Sequence, residues 1–290
     1  MLAIDPQDPT KLSLVGAPVA LPGEFPVTVA ASAKNQLVCV GMTGAKAGVS
    51  CASYSASGIG AMDGLRAFDL GQTTPPAGPL NTVSQVFFSG DESTLFTTVK
   101  GDPTVNNTGF LAAFPLDKSC SSKSASVAQQ GTQSSPNGTA VLFGASTIPG
   151  STNLFVTDAS FGGAVLAVDG GGVASTVGKG VVDGQAATCW ATVNLATNTA
   201  FVTDVAVNRL VQMSLTDATI VGQIDLSANG DPGLIDLRAA GNFVYALSPG
   251  NGTTSPSVTV VDATKACQVQ HFQLQGLGVS KSAMGMAVLA

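Results

Sequence analysis

Short apolar runs, rich in β-branched and aromatic residues, alternate along the chain with clusters of Gly, Pro, Ser, Thr, Asn and Asp. No stretch holds a 3.6-residue apolar period for long without Gly, Pro or a β-branched interruption, so the pattern predicts strands and turns rather than helices. The runs recur as three phrases in fixed order. The first is PVTVAAS (26–32), VSQVFFS (83–89), TAVLFGA (139–145), ATVNLAT (191–197), GLIDLRA (233–239) and AMGMAVL (283–289). The second is LVCV (37–40), LFTT (95–98), LFVTD (154–158), AFVTD (200–204) and NFVYA (242–246). The third is MLAID (1–5), LRAFD (65–69), LAAFP (111–115), VLAVD (165–169), LVQMS (210–214) and VTVVD (258–262).

Copies recur at roughly 45–60 residues, the period of a β-propeller whose blades are antiparallel four-stranded sheets stacked face to face. With the first phrase innermost, the blades fall at about 25–80, 81–135, 136–182, 183–228 and 229–276 of a single domain. Residues 1–24 and 277–290 are expected to build a further, partial blade. MLAID supplies its third strand, KLSLVGAP (11–18) its fourth and AMGMAVL its innermost; a second strand is missing, so an upstream segment is expected. Residues 41–63 read as a Gly/Ser/Ala-rich insertion carrying Lys46 and Tyr54 between the second and third strands of the first blade.

Composition narrows the function classes. Charged residues are only 10% of the 290, with 12 Lys and Arg against 18 Asp and Glu, so the basic surface that neutralises phosphates is absent and no nucleic-acid partner is expected. An apolar share of 44% argues against disorder. No apolar run approaches the ~20 residues of a membrane-spanning helix, and residues 1–10 lack the basic and apolar regions of a signal peptide. Five cysteines form no CxxC. Cys39 and Cys51, twelve positions apart in one unit, are the expected disulfide; Cys189, on an innermost strand, is expected buried and reduced, while Cys120 and Cys267 would need similar depth to pair. Asn106, Asn137 and Asn251 head glycosylation sequons.

His271 is the only histidine and lies in a predicted outer strand, so a Ser-His-Asp triad at a channel mouth is not expected; no G-x-S-x-G elbow or P-loop occurs. The connections leaving the second and fourth strands share one end of the propeller. That end gathers Glu24, Lys100, Asp102, Asn137, Asp158, Asp183, Gln185, Asp204, Arg209 and Asp231. Asp158 and Asp204 close equivalent strands in FVTDAS and FVTDVA. Two readings stand for them: a pair holding calcium or another divalent cation, or caps of Asx turns. Trp190, the sole tryptophan, reads either as inter-blade core or as a stacking platform beside a pocket.

Several phrases resemble lactonase-type seven-bladed propellers, and more closely secreted fungal proteins of the 3-carboxymuconate cyclase-like group. They are AIDPQDPTKLSLVG (3–16), NTVSQVFFSGDESTLFTTVKGDP (81–103), FVTDASFGGAVLAVD (155–169), DGQAATCWATVN (183–194) and LSANGDPGLIDLRAAGNFVYALSPGNGTT (226–254). The resemblance covers the chain and implies a secreted, glycosylated propeller with seven blades at full length. Lactonising relatives are understood to use His, Arg and Glu around the channel. Here the single His is on an outer strand, and of Arg66, Arg209 and Arg238 only Arg209 is placed near the mouth, so the catalytic set does not carry across. A metal-dependent lactonase would have to draw on Glu24, Asn137, Asp158 and Asp204. The leading expectation is a secreted or cell-surface, monomeric propeller that binds a small molecule or glycan without assured catalysis. The alternative is a lactonase or cycloisomerase acting on a small carboxylated lactone through channel-mouth carboxylates.

Overall fold

Period-two alternation puts the two faces of each strand against different neighbours. In LFVTD, Leu154 and Val156 pack toward the preceding sheet and Phe155 toward the next. The computed structural model describes residues 1–117 and 125–289, which form six antiparallel sheets. The first is a hairpin, β1 (Leu2–Ile4) with β2 (Leu12–Leu14). The second runs β3 (Pro26–Ser32), β4 (Leu37–Met42) and β5 (Ala47–Ser55), with β6 (Gly58–Ile59) and β7 (Arg66–Phe68) both on β5. The third runs β8 (Thr82–Phe88), β9 (Thr94–Lys100) and β10 (Phe110–Asp117), with β11 (Ser126–Val127) and β12 (Thr132–Ser134) sharing its outer edge. The fourth is β13 (Leu142–Thr147), β14 (Leu154–Asp158), β15 (Gly162–Val168) and β16 (Ala174–Val181). The fifth is β17 (Thr188–Asn194), β18 (Thr199–Asp204), β19 (Arg209–Ser214) and β20 (Ile220–Asp225). The sixth is β21 (Asp236–Ala240), β22 (Phe243–Ser248), β23 (Ser257–Asp262) and β24 (Cys267–Gln273).

The first strands follow one another in space, β3 against β8, β8 against β13, β13 against β17 and β17 against β21. Four apolar clusters fill the four gaps between the five larger sheets. Polar ties repeat across the gaps. Thr98, Thr157 and Thr203 each accept the bulge N–H of their own inner strand, from Gln85, Gly144 and Trp190. Thr98 and Thr157 then donate to the next blade, to the carbonyls of Phe143 and Cys189, both at 2.6 Å. On the outside, buried Arg66 pairs with Asp63 and donates to the carbonyls of Val127 and Ala128, stapling the second sheet to the third.

The seven-bladed expectation is corrected to a propeller-like stack of six sheets that is not a closed seven-bladed ring. The partial blade is the β1–β2 hairpin alone: residues 283–289 form no strand, and Met286 N–H is used instead by the Asp236 carboxylate. The first full blade is also reordered. Ala47–Ser55, inside the expected insertion, is its third strand, and LRAFD lies in the outermost position as β7. Small residues hid that strand. At Gly48, with φ +149°, an added Cβ would stand 2.2 Å from the carbonyl oxygen of Arg66 on β7.

Cys39 and Cys51 form a disulfide across β4 and β5. They are in direct register with Cα atoms 4.0 Å apart. The N–H and C=O of Cys51 turn away to Asp63, so this is the close, non-hydrogen-bonded kind of pair. Changing both cysteines to alanine is expected to cost about 3 kcal/mol through loop-closure entropy. Urea denaturation checks this, and an unchanged midpoint would contradict it. Cys189 is buried and free, Cys267 is exposed and free, and Cys120 lies outside the described residues.

Candidate functional site

Inner strands all start at one end of the stack, and second strands finish there, so that end collects Lys100, Asp158 and Asp204 at neighbouring heights. Both aspartates accept hydrogen bonds from the backbone of the adjoining loops. Asp158 accepts from Ala140 and Val141 N–H at 2.7 and 3.0 Å, and from Ser160 N–H and hydroxyl at 2.9 and 2.5 Å. Those four donors use the roughly four lone-pair sites of a carboxylate. Asp204 accepts from Ala186, Ala187 and Ala206 N–H. The pair therefore fits the capping role. Among the described residues, no group of three or more His, Cys, Asp and Glu is placed to hold a metal.

Most other expected residues also fasten loops. Glu24 accepts from the Thr74 hydroxyl and lies 3.9 Å from Lys46. Gln185 donates to Ala159 O and accepts from Thr188. Asp183 is exposed, and its carbonyl takes a donor from Arg209, which also reaches Gln223. Asp102 caps a short turn through Thr104, and Asn137 is exposed with its carbonyl bonded to Thr176. Asp231 is buried and accepts from Ser257 Oγ at 2.6 Å, with His271 Nε2 3.1 Å from the same oxygen. Serine, histidine and aspartate do meet here, but with the carboxylate in the middle. No histidine faces the serine, so the cluster is no nucleophilic triad.

Lys100 is different. Its ammonium lies 4.2 Å from the Phe143 ring centroid and has no hydrogen-bonding or ionic partner among the described residues. Phe143 meets Trp190 edge-on at 6.0 Å, and the Arg238 guanidinium lies 5.8 Å from the Trp190 ring. Lysine, phenylalanine, tryptophan and arginine thus form one row across four consecutive blades, from the end of β9 over the inner strands β13, β17 and β21, with cations at both ends. Cation–π contacts of this kind contribute about 0.5–2 kcal/mol each. Asp236 pairs with Arg238 at 3.0 Å and also accepts from Leu237 and Met286 N–H. Trp190 Nε1 is buried without a partner.

Burial sets the electrostatics of the row. Desolvation lowers the Lys100 pKa to about 8, although the neighbouring Cys189 pulls the other way. Desolvation raises the Cys189 thiol to about 12, so it stays protonated and unreactive at neutral pH. Desolvation also raises Asp236, against the Arg238 charge and the two backbone donors. Of the row, sequence position singled out Lys100; Trp190 packs against the core between the fifth and sixth sheets, as its inter-blade reading expected, and Phe143, Asp236 and Arg238 were missed.

No protein-family model matches the sequence, and no curated protein resembles it in sequence. In three dimensions the chain is similar to a periplasmic gluconolactonase from Pseudomonas aeruginosa, with a TM-score of 0.66 at 12% identity over 94% of this chain and 78% of that one. It is similar to a candidate 6-phosphogluconolactonase from Bacteroides uniformis, at TM-score 0.59 and 13% identity over 85% and 71% of the two chains. A chain of a nidogen–laminin complex is similar at TM-score 0.55 and 12% identity, over 94% of this chain and 88% of that one. At such identities the likeness establishes a β-propeller fold of the kind found in bacterial gluconolactonases.

Proposed function

We propose that the Lys100–Phe143–Trp190–Arg238 row is the binding site of a small carboxylated lactone and that the chain is a lactonase-type hydrolase. The observation that carries the reading is the half-buried Lys100 ammonium with no anionic partner among the described residues, beside an aromatic pair that can face a ring. In this reading Lys100 takes the carboxylate and Trp190 the ring face. Arg238, held by Asp236, offers N–H donors to the oxyanion that develops when water adds to the lactone carbonyl. The C–O bond to the ring oxygen then breaks and the hydroxy acid leaves. The gluconolactonase likeness supports the lactone class. Binding without turnover is the second reading. It is favoured by the backbone bonds that occupy Asp158, Asp204 and most of Asp236, so that none of these three is poised as a base.

Acid release from a γ-lactone bearing a free carboxylate, against its methyl ester, tests the proposal. The acid is expected to be preferred by about tenfold or more, one charge-assisted contact's worth. Equal rates, or no hydrolysis of either, would overturn the hydrolase reading. The preference has a pH sign. Lys100 must be protonated to hold a carboxylate, so affinity is full well below about 8 and falls as pH rises through that value. Lys100→Met should flatten the profile.

The finer proposal is an extracellular, N-glycosylated monomer of the secreted fungal group. The Cys39–Cys51 disulfide supports an oxidising compartment. Asn106 and Asn251 lie in exposed turns, whereas at Asn137 the sequon threonine is buried and donates to Pro136 O. Intact-glycopeptide mass mapping of protein from a secreting host is expected to find glycan at Asn251 and Asn106; bare asparagine at both would contradict this.

A further inference from the structure

A cavity lies at the end of the stack opposite the Lys100 row, where first strands turn into second strands. It has a volume of about 1150 Å³ and opens between the third and fourth sheets. Its walls are the turn at 89–94, the turn at 147–154 and the glycine-rich turn at 168–172. Asp91 accepts from Ser89 and Ser93, and Asp169 accepts from Gly171 and Val173 N–H, so both lining carboxylates are spent on shaping their own turns. Thr132 donates to Gly171 O at 2.8 Å, tying the two sheets across the groove. Gly172 allows close approach, since a Cβ there would stand 2.9 Å from Ala113 Cβ.

The chemistry of the lining selects a ligand class. Among the described residues it has no Lys or Arg, while hydroxyl and amide side chains such as Ser93, Thr147, Thr152 and Asn153 share the lining with apolar Pro115, Leu154 and Val168. The carboxylates and the lack of cations disfavour anions, which the other end of the stack is built to attract. Hydroxyl and amide groups beside apolar side chains match the alternating O–H and C–H surface of a sugar. The volume exceeds the range of about 300–1,000 Å³ usual for one drug-sized ligand. We propose that this groove binds an uncharged oligosaccharide, independently of the lactone site.

The test is a ¹⁵N–¹H NMR titration with maltotriose, cellotriose and triacetylchitotriose. One of them is expected to shift the amides of Gly90, Gly150 and Gly170 with a Kd on the order of 1 mM. Gly90 and Gly170 have open space around an added Cβ and no positive φ, so Gly90→Trp and Gly170→Trp can block the groove without straining the backbone. Each is expected to weaken binding about tenfold or more, whereas Lys100→Met leaves it unchanged. The proposal is overturned if no trisaccharide shifts these amides up to about 20 mM, if binding survives both tryptophan variants, or if a neutral hexapeptide binds the same amides more tightly.

Discussion

Replacing Asp158 by alanine is expected to lower the unfolding free energy by about 4 kcal/mol, because four hydrogen bonds to one buried carboxylate are lost together. Asp158 is fully buried. Its two oxygens hold the N–H groups of Ala140 and Val141, where the chain enters the fourth sheet, and those of Ser160, where it turns from β14 to β15. An alanine leaves the Val141 N–H facing protein rather than water and the part-buried N–H groups of Ala140 and Ser160 without their acceptor. Asp158→Asn keeps one carbonyl oxygen but turns an NH2 group toward donors, so about half of the loss is expected. Asp204→Ala should cost less than Asp158→Ala, since Asp204 accepts three bonds and one of them is 3.4 Å long. Urea denaturation measures all three. A cost below about 1 kcal/mol for Asp158→Ala would contradict the capping role and reopen the site to another ligand.

Phe201→Ala is expected to cost a similar amount, about 4 kcal/mol, from lost transfer energy and the cavity left behind. Phe201 is fully buried in the cluster joining the fifth and sixth sheets, with Leu210, Leu237, Val244 and Val261. Stacked sheets contact only their neighbours, so the loss should concentrate at this one gap. Hydrogen exchange is then expected to speed up in β21–β23 more than in β8–β10. Phe243, 38% exposed on β22, is the control and should cost under about 1 kcal/mol as alanine. Equal effects at the two positions would show that the gap is not packed as described.

These examples show what a sequence of this kind reveals. FVTD in β14 and β18 is buried at every position and ends on Asp, and both its strand character and its turn role follow from residue type. Equal phase placed Asp158 and Asp204 at equal positions, but phase says nothing of what fills the space beside a carboxylate. That depends on where the N–H groups of the incoming strand point. The nine residues of β5 were illegible because Gly, Ser, Ala and Cys dominate them, the composition of a loop; at Gly48 the approach of β7 leaves no room for a side chain. Lys100 was visible from its position at the end of β9. Its row with Phe143, Trp190 and Arg238 was not, because each contact joins residues of different blades far apart in sequence. His271 was correctly placed on an outer strand, yet its approach to Asp231 depends on a connection folding back over β23 and β24.

Trp190 is the sole tryptophan and stands inside the proposed site, so its fluorescence reports the central claim without a label. The decisive measurement is a titration of Trp190 emission with a carboxylated γ-lactone and with its methyl ester, in wild type and in Lys100→Met at pH 7. A saturable change with the acid is predicted, at least about tenfold weaker for the ester and for the variant. No change with the acid, or identical curves for acid, ester and variant, would contradict the assignment of this row as an anion-selective lactone site.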